Sequence, residues 1–422
     1  MSVSARRGAP AAAARPATVL VTDAGSGSAI SVIRSLGRRG LRVIAADSHP
    51  RSPGFASRFT AERVVYPSAH LAPGPVVDAL LGAAQRHSVD LIVPVCDETV
   101  LPLSAQRDRF TGVCQVALPA AGALELAYDK HATVQLAGRL GVPTPKSRLV
   151  TSVTEATEAA QELGWPVVVK PQAPSLYRRG GTVEQLHVTY AADPASLRRQ
   201  LASLEGRCGA LLQELCPGEG HGVELLAHEG RPLAAFQHRR LREVPFTGGP
   251  SSFRESVALD PVLYDLSVRL LQAVRWTGLA MVEFKHGHRG PMLMEINGRI
   301  WGSLPLAVKS GMDFPAHVAE LFLTGPPPAG TPPATAYAVG VRSRKLELEL
   351  FWIAAALRGR SRHPFLPRPS RAQALGAAVR LLSPGDGYDV LQRDDLRPGV
   401  AELGQVAGLV SRRLRARRPA VR

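Results

Sequence analysis

The sequence predicts an α/β unit followed by an α+β body and a basic, mostly helical C-terminal extension. Three observations carry this. Short apolar runs alternate with helical spacing over the first 120 residues, strand patterns dominate after residue 166, and from residue 340 onward 17 Lys or Arg face 7 Asp or Glu. With 422 residues, 45% apolar and 20% charged, the chain is long enough for about three folding units. It is too apolar to be disordered or collagen-like.

Residues 1–16, rich in Ala, Pro, Ser and Arg, predict a disordered tail with no secretory leader. Residues 17–22 and 41–46 are apolar, and between them residues 28–39 repeat Ile30, Ile33 and Leu36 at helical spacing. This is a βαβ unit and hence the start of a parallel sheet. Strands at 89–95 and 113–118, with a helical stretch at 98–110 between them, extend it to a Rossmann-like domain over 17–120.

A lid-like α+β lobe is predicted over 121–215. It has helices at 130–140 and 153–163, strands near Arg148 and at 166–170, and further strands at 182–190 and 210–215. A third unit, 216–325, takes strands at 222–227 and 232–237, a helix at 261–274, strands at 279–285 and 291–297 around the turn 286–290, and a helix at 314–323. Five prolines between Pro326 and Pro333 mark a linker over 326–339. The extension 340–422 follows.

Several function classes drop out at this level. No run approaches the roughly 18 apolar residues of a spanning helix, and no G-x-x-x-x-G-K-[ST] loop exists. Cys96, Cys114, Cys208 and Cys216 fit neither a zinc knuckle nor a disulfide framework, so reduced thiols and a cytoplasmic location are expected. The net charge of +16 is concentrated in the extension, and no aromatics interleave with the arginines of 412–422, so no specific nucleic-acid partner is expected. Gly25-x-Gly27 with Asp47 is half of a dinucleotide fingerprint, but Ile30 replaces its third glycine. An NAD(P)-dependent oxidoreductase is therefore one alternative, set against a plain turn capped by Ser26 or Ser28.

The chemistry concentrates in two strands. Alternation places Glu295 and Asn297 on one face and Met292, Met294 and Ile296 on the other. Symmetric pairing about the turn sets Glu283 opposite Glu295, and two facing carboxylates call for a cation between them. Two carboxylates and an amide oxygen are hard donors suited to Mg²⁺ with phosphate oxygens. Lys130, opening a helix, and Lys170, ending a buried-looking strand, are candidate phosphate grips. The arginine-rich stretch 237–254 offers His238, Arg240 and Arg254 as contacts for an acidic substrate. Asp97 and Glu98, at the carboxyl end of a parallel strand, serve either as helix-capping acids or as partners of a substrate amino group.

In order and spacing these residues resemble the ATP-grasp superfamily, specifically its carboxylate-amine ligases, with relatives in biotin carboxylase and carbamoyl phosphate synthetase. The resemblance spans about residues 17–325. It rests on Asp129-Lys130, Gly141-Val-Pro-Thr-Pro145, Val168-Val-Lys170-Pro171, Leu212-Gln-Glu214 with Pro217-Gly218, Glu283, and Glu295-Ile-Asn297-Gly-Arg299. Where the family carries a denser glycine loop over the phosphates, this chain has residues 175–181.

The resemblance implies an ATP-grasp fold behind a Rossmann-like domain. It implies that Lys130 and Lys170 hold the α and β phosphates and that Gln213, Glu214 and the backbone near Cys216 meet adenine. Glu283, Glu295 and Asn297 would hold one or two Mg²⁺, with Mn²⁺ as a substitute, and Arg299 would meet the γ-phosphate and acyl group. The implied activity joins a small carboxylate, activated as an acyl phosphate, to an amine at the expense of ATP. A noncatalytic nucleotide-binding module is the second alternative, and a homodimer is compatible with the sequence.

Overall fold

The computed structural model describes residues 15–68, 73–172, 175–177, 183–204, 207–246, 248–359 and 368–415. The tail 1–14, most of the loop 175–181 and Thr247 lie outside the described residues. The first unit consists of β1 (Thr18–Val21), α1 (Gly27–Arg38), β2 (Arg42–Asp47), β3 (Thr60–Val65), α2 (Pro73–His87), β4 (Leu91–Val93), α3 (Asp97–Ala105) and β5 (Gln115–Val116). Its sheet has the order β3-β2-β1-β4-β5 and every pair is parallel, as a βαβ reading requires.

The glycine turn of this sheet serves the chain itself. Asp47 accepts the Gly25 N–H (2.6 Å), the His49 N–H (2.7 Å) and the Ser52 hydroxyl (3.1 Å). A Cβ on Gly27 would stand 3.3 Å from Val390 and 3.5 Å from Asp389. Ser26 caps α1 through the Ala29 N–H. The polar groups that a dinucleotide would need are thus spent on backbone and covered by the C-terminal segment. The oxidoreductase alternative finds no support here.

The second unit comprises α4 (Ala121–Tyr128), α5 (Lys130–Arg139), β6 (Ser147–Val150), α6 (Val153–Leu163), β7 (Val167–Pro171), β8 (Ser175–Tyr177), β9 (Val183–Gln185), β10 (Thr189–Ala191), α7 (Pro194–Ala202) and β11 (Ala210–Glu214). An antiparallel sheet of order β10-β7-β11-β6 buries its apolar side under Ala156, Ala160, Leu197 and Leu201 of α6 and α7. The Asp129 side chain caps α5, accepting from His131 and Ala132 N–H. Lys130 is thereby fixed at the first helical position.

The third unit contains β12 (Glu219–His228), β13 (Arg231–Glu243), β14 (Ser251–Ser256), α8 (Pro261–Ala273), β15 (Gly278–Gly287), β16 (Gly290–Asn297), α9 (Leu304–Lys309) and α10 (Phe314–Thr324). The C-terminal segment adds β17 (Arg342–Arg344), α11 (Leu346–Arg358), α12 (Arg371–Arg380), β18 (Gly387–Tyr388) and α13 (Leu396–Arg415). These strands form one sheet of order β16-β15-β12-β13-β14-β17-β18.

The extension is therefore part of the body. Its two strands finish the central sheet, and its acids meet arginines of the preceding units. Arg34 on α1, fully buried, donates to Asp395 Oδ2 (2.9 Å), Asp395 O and Val390 O; Arg254 pairs with Asp389 and Arg242 with Glu349. Such pairs leave buried charge behind when one partner is lost, so they lock the segment in place. The proline-rich stretch is held too, Ala334 exchanging backbone hydrogen bonds with Leu233 and Ala235.

Candidate active site

Residues paired across antiparallel strands share a sheet face. Register places His238, Gly222, Glu283 and Glu295 in one row across β13, β12, β15 and β16. Phe236, Glu224, Met281 and Asn297 form the next row on the same face. Glu283 faces Glu295 as hairpin symmetry predicts. The pairing then slips, and Phe284 meets Leu293. Met294 becomes the extra residue of a bulge and turns into the cleft with Glu295, where strict alternation had put it on the other face.

Where a cation was expected between the two acids, Arg240, read as a substrate contact, lies against Glu283. Its guanidinium pairs with Glu283 and reaches Glu243 Oε1 and Gly249 O, each at 3.2 Å. Asn297 Nδ2 donates to Glu283 Oε1 (3.0 Å) and Glu295 Oε1 (3.2 Å). Two glycines make room for this arrangement. A Cβ on Gly220 would stand 3.0 Å from Arg240 Cδ, and one on Gly222 only 2.4 Å from His238 Cε1. Both long side chains therefore lie across glycine toward the acids.

A cavity of about 390 Å³ opens above these rows. Eleven of the residues expected in a nucleotide and substrate site line it: Lys130, Lys170, Gln213, Glu214, Cys216, His238, Arg240, Glu283, Glu295, Asn297 and Arg299. Burial pushes the Lys170 ammonium down to about 8, with Glu295 and Glu283 acting against it. Burial raises the Glu283 carboxyl, whereas for Glu295 the cations Lys130, Lys170 and Arg240 outweigh burial and hold the carboxyl below its ordinary range. Burial opposes the charge on Arg299, but Asp97 overcomes it and raises the guanidinium. Gln213 donates to Ser147 Oγ (2.9 Å), and Glu214 takes the Lys146 N–H and the Arg289 guanidinium.

Three expected residues take other positions. Arg254 does not line the cavity; it is 1% exposed and donates to Asp389, Gly302 O and Ser251 O, so it braces β14 against the C-terminal segment. Asp97 accepts from Arg299 Nε (2.8 Å) and from the Tyr128 hydroxyl, and it aims Arg299 rather than facing a ligand. Glu98 stands beside it in the first turn of α3, also outside the cavity lining. The cleft gains Tyr190, Met281, Phe284, Trp301, Lys345 and Leu348, which the sequence reading lacked. Lys345 and Leu348 enter only because β17 joins the sheet, a long-range event with no local signal beyond the scarcity of lysine. A wider groove of about 1100 Å³ runs beneath the parallel sheet beside α10 and contains none of the expected residues.

The donor set fits a hard divalent cation: two facing carboxylates, an adjacent amide, and an open cavity to admit phosphate oxygens. Among the described residues no group of three or more His, Cys, Asp or Glu could hold a metal, which disfavours a closed site built wholly of protein ligands.

Two family models match successive stretches, one described as an ATP-grasp domain over residues 121–203 and one as ATP-grasp in the biosynthetic pathway with Ter operon over 209–345. Formate-dependent phosphoribosylglycinamide formyltransferases from Synechococcus sp. (strain CC9605) and Burkholderia mallei (strain SAVP1) are 29% and 31% identical over 157 and 173 residues. Those stretches cover 37% and 40% of this chain and the same shares of each relative, so the chain spans about two fifths of the curated relatives it matches. The fold is that of N5-carboxyaminoimidazole synthetase from Staphylococcus aureus (TM-score 0.61, 14% identity, 82% of this chain and 86% of that one). Biotin carboxylase from Campylobacter jejuni, in complex with a β,γ-ATP ligand, is similar as well (TM-score 0.60, 16% identity, 77% and 74%). Two ATP-grasp family models thus match successive stretches of the chain, 121–203 and 209–345, and the chain shares its fold with these solved structures.

Proposed function

We propose that this chain is an ATP- and Mg²⁺-dependent ligase that activates a small carboxylate as an acyl phosphate and joins it to an amine, releasing ADP and phosphate. The observation that carries the reading is the convergence of Glu283, Glu295 and Asn297 with Lys130, Lys170 and Arg299 on one cleft. Glu283, Glu295 and Asn297 would hold one or two Mg²⁺, which when bound neutralises phosphate charge during transfer; Mn²⁺ would substitute. Lys130 and Lys170 hold the α and β phosphates, while Val168, Leu215, Cys216, Phe284 and Met294 offer an apolar wall for adenine beside Gln213 and Glu214. Arg299, held by Asp97, meets the γ-phosphate and the acyl oxygen, where charge builds up.

No protein nucleophile is needed, since positioning and charge neutralisation carry the phosphoryl step. Both substrates are small molecules, and a cytoplasmic setting suits such chemistry; no helix among the described residues is long and apolar enough to cross a membrane. The test is Mg²⁺-dependent ADP release over a panel of acids and amines, with the adduct detected by mass. Nucleotide binding without turnover across the panel would instead indicate the noncatalytic module.

A further inference from the structure

His238 is placed for a task that phosphoryl transfer leaves undone. An amine reaches the cleft mainly as an ammonium ion, which has no lone pair for attack on an acyl phosphate. One proton must leave first, and a positioned side chain must take it.

His238 lines the cleft and is 1% exposed. Its Nδ1 lies 3.0 Å from Oε1 of Glu224, a carboxylate with no solvent exposure. The Ser303 hydroxyl donates to the same oxygen (2.7 Å); His238 Nδ1 is within ion-pair reach of Glu224 without a well-directed hydrogen bond, and Glu224 Oε2 likewise has no hydrogen-bond partner among the described residues. A buried carboxylate with spare acceptor capacity favours a proton on Nδ1 and stabilises an imidazolium when one forms. This leaves Nε2 as the basic atom. The ring occupies the space above Gly222, in the row that continues to Glu283 and Glu295. Two strand spacings, roughly 10 Å, separate the His238 and Glu283 backbones, and the ring leans over the glycine between them.

We infer that His238, oriented by Glu224, is the general base that deprotonates the attacking amine, and that the amine is therefore bound as an ammonium ion at this end of the cleft. The inference rests on the ligase reading. One proton of the ammonium passes to Nε2; the nitrogen lone pair forms the C–N bond as the C–O bond to phosphate breaks, and the second proton leaves with the phosphate. Burial keeps the imidazole below its ordinary value, with Glu224 opposing and Arg240 and Arg254 adding to the depression. His221 on β12 and Glu283, beyond Gly222, complete its charged surroundings. The ring is thus neutral, and able to accept a proton, at pH 7.

Hydroxylamine tests this, because it is unprotonated at neutral pH and needs no base. Acetate, glycine, L-glutamate and citrate are offered with hydroxylamine in parallel with ammonium, methylamine and L-lysine. For His238→Gln, amide formation should fall at least about a hundredfold while hydroxamate formation stays within a few-fold. Glu224→Gln, which removes the positioning anion, should shift the acid limb of the amide pH profile to lower pH and leave hydroxamate formation unchanged. Equal loss of both products, or of neither, overturns the proposal.

A second measurement needs no substrate. In the full chain carrying ¹³C,¹⁵N-histidine, the signal that His238→Gln removes should report a neutral Nδ1–H tautomer at pH 7. An Nε2–H tautomer or an imidazolium overturns the proposal. If the wild-type protein forms neither hydroxamate nor ADP with any acid, the ligase reading itself falls, while this signal still decides the state of the ring.

Discussion

The turn at Gly25–Asp47 and the hairpin at Glu283–Asn297 both present acids and glycines in patterns that bind nucleotides, and the structure treats them oppositely. In the turn, Asp47 accepts three hydrogen bonds from its own chain and Gly27 lies under Val390 and Asp389. In the hairpin, the acids meet side chains that line the cleft, Arg240 and the Asn297 amide directly and Lys130 and Lys170 through their charge, and a cavity of about 390 Å³ stands above them. A motif marks a ligand site when its polar groups are left to be satisfied from outside. Where the chain satisfies them itself, the same residues are structure.

Removing an acid from the open site has the largest expected effect. Glu295→Ala should lower Mg²⁺-dependent ADP release by about a thousandfold or more, on the scale of losing preorganised charge in an active site. Its thermal stability should fall modestly, because buried Lys170 and neighbouring Lys130 lose the carboxylate that offsets their charge. A folded variant that keeps its activity would show that the hairpin is as self-contained as the turn.

Next in size is the brace. Arg254→Met removes one partner of a buried pair with Asp389 and should destabilise the protein by about 3–5 kcal/mol in denaturant unfolding. Since Arg254 lies outside the cavity lining, the ATP affinity of the folded fraction should not change. A selective loss of acid-substrate affinity would return Arg254 to the site.

The pH dependence comes third. Lys170 has a folded-state value near 8, well below that of a free lysine. Between about pH 8 and the free-lysine range the unfolded chain binds the extra proton, so this group makes stability rise with pH there and burdens the fold at pH 7. Bound phosphate requires the charged form. Calorimetric ATP affinity should therefore fall above about pH 8, by up to tenfold per unit, and Lys170→Met should flatten the profile while raising the stability of the nucleotide-free protein.

What was legible in the sequence was what local pairing decides. Helix 153–163 has the bounds read from the sequence, to which the structure adds the Ser152 cap and the Gly164 stop, and the Glu283–Glu295 pairing follows from hairpin symmetry alone. The Met294 bulge broke alternation, because a one-residue slip is invisible to a period-2 pattern. Arg254 misled for a different reason. Its partner Asp389 lies 135 residues away, on a segment that reads as a loose basic extension until its strands join the sheet. β14 hid for the same cause: Ser251-Ser-Phe-Arg-Glu-Ser256 looks like a polar loop, yet its hydroxyls and charges are buried against Glu349, Asp389 and Ala338. The signal for the cleft's second half was present in Gly220-His-Gly222, where two glycines on one strand face leave space for Arg240 and His238.

The smallest effect probes the closed side of the comparison. Asp47→Asn keeps the shape of the side chain but turns one of its acceptors into a donor, against an arrangement that needs acceptors for Gly25, His49 and Ser52. Hydrogen bonds to a charged acceptor contribute about 1.5–3 kcal/mol, and the retained amide oxygen keeps part of that. A loss of about 1–2 kcal/mol is expected in denaturant unfolding. ATP affinity and ADP release should match the wild type, and neither protein should quench or enhance NADH fluorescence. If Asp47→Asn instead weakened nucleotide binding with stability unchanged, the turn would be a ligand site whose groups are only provisionally occupied by the chain, and internal satisfaction would lose its force as the criterion separating the two regions.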